Sequence, residues 1–177
     1  MAAANLRAFV LRKVRNALAS TGRICGIDYG TVRFGIAISD ASCTIASPYE
    51  TYQRRDAAAD AERFQRLVAE EGVVRYVVGL PVHTSGEESP KSREAREFGA
   101  WLAQITGLPV DFIDERYSSR QAEEALRDAG LTSRQRKKRR DMLAARILLE
   151  AYLETGGAAA GEPGPLDDSF DVKDGDE

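Results

Sequence analysis

The chain has 177 residues, 43% of them hydrophobic and 30% charged, with a formal net charge of −3. That is enough for one domain with a real core, and no apolar run approaches the ~20 residues of a membrane helix. Two cysteines, Cys25 and Cys43, lie in apolar surroundings without a CxxC pattern, which excludes a disulfide framework and reads as buried reduced thiols of a cytoplasmic protein.

Charge is unevenly spread. Residues 1–20 hold Arg7, Arg12, Lys13 and Arg15 and no acid, whereas residues 154–177 hold eight acids against Lys173. The acidic balance is thus a property of the tail, and the middle of the chain is neutral overall. Residues 1–20 are expected to form a basic extension, 21–154 one folded domain, and 155–177 an acidic, Gly- and Pro-containing disordered tail. The first 20 residues lack the apolar stretch of a secretory signal and read as a surface helix or frayed extension, with an organelle-targeting peptide as the alternative.

In chain order, residues 24–28 and 34–39 are two short apolar runs separated by a turn-like Tyr29-Gly30-Thr31-Val32-Arg33, and they predict a hairpin. A third strand is predicted over 44–53, with Pro48 at an edge position or bulge. Phe64, Leu67 and Val68 stand on one face of a helix over 56–71 that Gly72 stops. The β-branched run 73–78 predicts a buried strand leading to Gly79-Leu80-Pro81 and a loop over 82–89. A helix over 90–106, a strand over 110–113 and a helix from Ser118 or Ser119 to about Ala129 follow. Six basic residues within 134–140 then lead into a last helix that Asp141 begins and that runs to about Leu153. The order β-β-β-α-β-α-β-α-α predicts an α/β fold: a mixed five-stranded sheet, three antiparallel strands and then alternating helices and strands, with helices on both faces.

Acids occupy unusual places in this scheme. Asp28 ends the first strand, Asp114 and Glu115 end the last, and Asp141 starts the final helix. Asp141 is followed at i+4, i+7 and i+8 by Ala145, Leu148 and Leu149, so it belongs to the face that packs on the sheet. Ligands of open α/β sheets collect at strand ends. Carboxylates forced together repel unless a cation neutralises them, and an all-oxygen donor set suits Mg²⁺ or Mn²⁺. With one histidine and no usable cysteine pair, zinc does not fit. Taken singly, each acid has a plainer reading. Asp28 is also a turn residue, Asp141 an acid favoured at a helix N-terminus, and Asp114-Glu115-Arg116 a surface ion-pair cluster.

Three stretches together carry a family likeness: GIDYGTVRFGIAISD at 26–40, VVGLPVHTSGEESPKSREAREF at 77–98, and DERYSS at 114–119 with RRDMLAARILLEAYLE at 139–154. Across residues 23–154 the chain resembles the YqgF, or RuvX-like, family of pre-16S rRNA nucleases, relatives of RuvC-type Holliday junction resolvases. The resemblance implies an RNase H-like fold and a metal-dependent endonuclease. Its acidic set falls on Asp28, Glu115 and Asp141, with Asp114 a further family acid, as ligand or as a neighbour of the ligands. Tyr117-Ser118-Ser119 replaces a more usual Leu-Thr-Thr, and the loop His83-Thr84-Ser85-Gly86 lacks the Asn and Asp often found there. Neither terminal extension has a counterpart in the compact family pattern.

Beside the acids, Arg136, Lys137, Lys138 and Arg140 form a phosphate-tracking patch, which Arg33 and Arg116 extend. Arg116 has pairing with Asp114 as its alternative. Thr31 is a candidate phosphate contact or a turn residue, and Gly30 permits close backbone approach or positive φ. His83 reads as an ordinary loop histidine before a proton shuttle, and Phe98 and Trp101 as helix packing. The leading expectation is a phosphodiesterase acting on precursor ribosomal RNA with the assembling small subunit as partner, as a monomer or homodimer. The alternatives are cleavage of branched DNA and a non-catalytic maturation factor. An actin-like ATP-binding protein would share a DYGT-type loop but needs a second domain for which the chain has no room.

Overall fold

The computed structural model describes residues 22–81, 89–114 and 133–156, with side chains in the last segment described from residue 139. Five strands, β1 (Arg23–Tyr29), β2 (Arg33–Ser39), β3 (Ala46–Gln53), β4 (Val73–Leu80) and β5 (Val110–Asp114), form one sheet in the order β3-β2-β1-β4-β5. β1 pairs antiparallel with β2, and β2 antiparallel with β3, whereas β4 runs parallel to both β1 and β5. The predicted mixed sheet is therefore present, with β1 at its centre. Pro48 has no N–H to give a ladder and lies on the edge strand. Ile36 pairs with Glu50 and Ala37 with Pro48, which leaves Tyr49 as the extra residue of a bulge.

Three helices are described: α1 (Ala57–Glu71), α2 (Pro90–Thr106) and α3 (Ser133–Glu154). The Asp56 carboxylate caps α1 by accepting a 2.9 Å hydrogen bond from the Ala59 N–H, and Gly72 ends it with φ 66°. Asp56→Ala is expected to cost about 1 kcal/mol, read as a lower urea midpoint at unchanged m-value. Ser89 caps α2 through a 3.0 Å bond from Ser92 N–H, with Pro90 in the first turn and Gly107 at φ 69°. The predicted loop over 82–88 and helix over 118–129 lie outside the described residues.

The two faces of the sheet bury different side chains, as strand alternation requires. On one face Cys25, Ile27, Phe34, Ile36, Tyr76 and Val78 pack with Phe64 and Leu67 of α1 and Phe98 and Leu102 of α2. Phe98 is buried there, and Trp101 packs beside it at a ring-centroid distance of 5.7 Å, so both are packing residues. The other face holds Ala37, Ala46, Val77 and Ile113 against Ala145, Leu148, Leu149 and Tyr152 of α3.

α3 lies close to its face because Gly26 and Gly35 put no side chain beneath it. A Cβ on Gly26 would come within 2.8 Å of Leu149 Cβ and 3.1 Å of the Ala145 carbonyl oxygen. A Cβ on Gly35 would overlap the Asp141 carbonyl. At its C-terminal end the helix is tied by the Tyr152 hydroxyl, which donates to Asp111 Oδ2, an oxygen that Arg75 also meets at 2.5 Å.

Three expectations are corrected. α3 begins at Ser133, so the basic stretch 134–140 is the opening of the helix and not its lead-in, and Asp141 lies in the third turn. Those first turns contain no apolar residue to show a period, yet Arg, Lys and Gln are good helix formers. β4 continues to Leu80, two residues past the predicted end. Cys25 is fully buried as expected, but Cys43 is only half-buried, in the β2–β3 turn with φ 55°.

Candidate active site

The C-terminal end of β1 delivers Asp28 to the α3 face. Gly26 and Asp28 are two residues apart on the central strand and share a side of the sheet, and Asp28 stands opposite Gly35 in the β1–β2 ladder. The missing side chain at Gly35 lets the third turn of α3 rest on the backbone there, which carries Asp141 to the neighbourhood of Asp28. The acid that packs on the sheet is therefore inside a helix. A helix dipole acts within the first turn, so it does not explain an acid at this position.

Arg33, the first residue of β2, is also on this face, since Phe34 next to it belongs to the opposite cluster. Its Nε is 2.8 Å from Asp141 Oδ2. The Arg33 N–H is not aligned with that oxygen: Oδ2 is buried and receives no hydrogen bond among the described residues. The contact is an ion pair without a hydrogen bond. Arg140 Nε stands 3.8 Å from the other oxygen, Oδ1, and is itself largely exposed.

The electrostatic consequence falls on Asp28. Burial is the main cause, and repulsion from Asp141 the second, of a carboxyl pKa pushed up to about 6; Arg140 opposes the shift. Two half-buried carboxylates facing one another, one with an orphaned oxygen, make an electron-rich, oxygen-only pair. These donors fit a hard divalent cation such as Mg²⁺ or Mn²⁺ and not zinc. Among the described residues no third His, Cys, Asp or Glu joins them.

The other predicted site residues distribute as follows. Asp114 is buried and pairs in register with Leu80, a member of the α1/α2 cluster, so strand alternation turns it to the face away from Asp28. The structure does not bring Asp114 to the Asp28–Asp141 pair. Ile113 faces α3, two residues before Glu115. Glu115, Arg116 and His83 lie outside the described residues, as do the side chains of Arg136, Lys137 and Lys138. Arg139 and Arg140 are exposed.

Thr31 is exposed in the β1–β2 loop. Gly30 has no positive φ, but a Cβ there would overlap the Arg33 carbonyl oxygen, so close approach is what it provides. Sequence reasoning missed Gly26, Gly35 and Arg54. The two glycines interrupt strand patterns, a signal of close backbone approach that was present in the sequence. Arg54 braces the loop beside the acids, reaching the Tyr29 hydroxyl at 3.3 Å and the carbonyl oxygens of Gly30 and Thr31 at 3.4 Å each.

Residues 22–155 match the profile of RuvX, described as Holliday junction resolvase. This chain belongs to the RuvX family. Among curated relatives, a Rhodopirellula baltica protein is 44% identical over 135 residues, 76% of this chain and 78% of that protein. A Maridesulfovibrio salexigens protein is 40% identical over 131 residues, 74% of this chain and 97% of that one. Both are named "Putative pre-16S rRNA nuclease". In three dimensions the chain is similar to T. thermophilus RuvC in complex with a Holliday junction substrate, with a TM-score of 0.50 and 16% identity over 82% of this chain and 99% of that one. That likeness shows the RNase H-like fold. The RuvX family is a nuclease family.

Proposed function

We propose that this RuvX-family chain is a metal-dependent endonuclease that processes the 5′ end of pre-16S rRNA during ribosome assembly in the cytoplasm. The observation that supports it is the buried Asp141 Oδ2 without a donor, facing a second carboxylate whose ionisation that neighbour opposes. Asp28 and Asp141 would hold Mg²⁺ or Mn²⁺, and Glu115 would complete the set. A cation held there would supply an activated water and would offset charge developing on phosphate oxygens. Arg140, with Arg134, Arg136, Lys137, Lys138 and Arg139 before it in α3, would bind phosphates on either side of the cut, and Thr31 at the exposed loop would contact the same strand. Water oxygen adds to phosphorus as the bond to the 3′ oxygen breaks, leaving a 5′-phosphate and a 3′-hydroxyl. No helix among the described residues is long and apolar enough to cross a membrane.

The family description favours a second substrate, branched DNA, for the same chemistry. Labelled pre-16S rRNA and a four-way DNA junction, each incubated with Mg²⁺, Mn²⁺ or EDTA, separate the two. Cleavage of the RNA in either metal, absent in EDTA and reduced at least ~10³-fold in Asp141→Asn, is the expected outcome. Cleavage of the junction alone would transfer the assignment to branched DNA. Binding without cleavage under any metal, with or without assembling 30S particles, would replace the enzyme by a maturation factor.

A further inference from the structure

Arg33 and Asp141 are far apart in sequence and meet only because α3 rests on Gly35. The guanidinium is a third exposed, at 32%, while the carboxylate is 13% exposed. Since Nε lies 2.8 Å from Oδ2 without a hydrogen bond, Arg33 serves this oxygen as a charge and not as a donor. Such a contact is weaker than a charge-assisted hydrogen bond and is readily exchanged for a better cation.

Among the described residues its neighbours do not duplicate it. Arg140 stands on the other oxygen at 3.8 Å. Arg54 is engaged with the β1–β2 loop and pairs with Asp60 at 3.5 Å. A divalent cation held by Asp28 and Asp141 would compete for the Oδ2 that lacks a hydrogen bond and would repel the guanidinium beside it.

We infer that Arg33 is a displaceable countercharge: it neutralises Asp141 in the metal-free protein and, when a divalent cation takes Oδ2, is released to a phosphate of the nucleic acid. One side chain then couples metal binding to nucleic-acid binding, so each ligand tightens the other. Arg33 is in this respect a positioning residue. The inference rests on the metal-dependent nuclease reading and adds an order of events to it.

Calorimetric titration of the full chain with Mn²⁺, without nucleic acid, tests the first half. Arg33→Gln is expected to bind Mn²⁺ about fivefold tighter than wild type, the factor that about 1 kcal/mol of lost competition supplies. Arg33→Lys keeps the countercharge and is expected to bind as wild type does. The second half is read by RNA affinity in EDTA and in Ca²⁺, which holds off cleavage. Wild type is expected to gain about tenfold from the cation and Arg33→Gln at least threefold less, while in EDTA the two bind alike.

A measurement on wild type avoids reliance on the Gln variant folding. Its Arg33 Nε–Hε resonance, assigned by its absence in Arg33→Lys, should shift on Mg²⁺ addition. Equal or weaker Mn²⁺ binding by Arg33→Gln, or a resonance that ignores Mg²⁺, overturns the inference and leaves metal-dependent cleavage intact. Wild type that binds no Mn²⁺ at millimolar concentration overturns the nuclease reading as well.

Discussion

Asp28→Asn is expected to reduce cleavage by at least ~10³-fold and, in EDTA at neutral pH, to make the protein more stable. Both effects have one cause. The Asp28 carboxyl rises from 3.8 to about 6 in the folded protein because it is buried and faces Asp141. A carboxyl whose folded value is raised binds its proton more tightly when folded than unfolded. Below about pH 4 the group is protonated in both states and carries no penalty. As pH climbs from about 4 to about 6 the unfolded chain gives up its proton first, and the folded state is progressively destabilised; above that the penalty is constant. Its ceiling is about 3 kcal/mol, reduced to about 1–2 by solvent screening of a half-buried group. Asn keeps the shape and removes the charge. Calorimetric melting in EDTA should therefore place Asp28→Asn above wild type at pH 7.5 and level with it near pH 4. Added Mg²⁺ should raise the wild-type melting temperature at pH 7.5 and leave the variant unmoved. A variant less stable than wild type in EDTA at pH 7.5 would show that favourable contacts, not repulsion, hold Asp28.

This trade between stability and chemistry explains why parts of the site are legible in the sequence. Asp28 interrupts an apolar strand, and Asp141 shares a helical face with Ala145, Leu148 and Leu149; a charge in either place demands a partner. Gly72 and Gly107 as helix stops, and Pro48 at an edge bulge, are equally legible because each depends on backbone chemistry within a few residues. The start of α3 is not, because its first two turns hold no apolar residue and have no hydrophobic period. Nor is the Arg33–Asp141 pair, which exists only through tertiary packing. Asp114 and Glu115 are adjacent in sequence, but only the pairing of Leu80 with Asp114 shows which side of the sheet Asp114 takes. Sequence patterns report local periods and local turns; which face a helix covers is a property of the assembled sheet.

Gly35→Ala is expected to damage stability and catalysis together. The added Cβ overlaps the carbonyl oxygen and carbon of Asp141 and stands 3.0 Å from Met142 N, all of them backbone atoms of a helix that cannot rotate out of the way. The helix must lift, and overpacking of this kind costs about 3 kcal/mol. Lifting by about 1 Å also withdraws Asp141 from Asp28, and a displacement of that size at a reacting centre costs about 10²-fold in rate. Gly72→Ala provides the contrast. Gly72 has φ 66° at the end of α1 with nothing within 4 Å of an added Cβ, so Ala there costs about 1 kcal/mol of backbone strain and moves no site residue. Urea midpoints and cleavage rates, taken well below both melting temperatures, separate the two. Lower stability in both variants with cleavage lost only in Gly35→Ala would show that the glycine is there to seat Asp141. Equal cleavage rates would mean that the helix accommodates the methyl without moving its acid, and that the closeness of α3 to β2 serves packing alone.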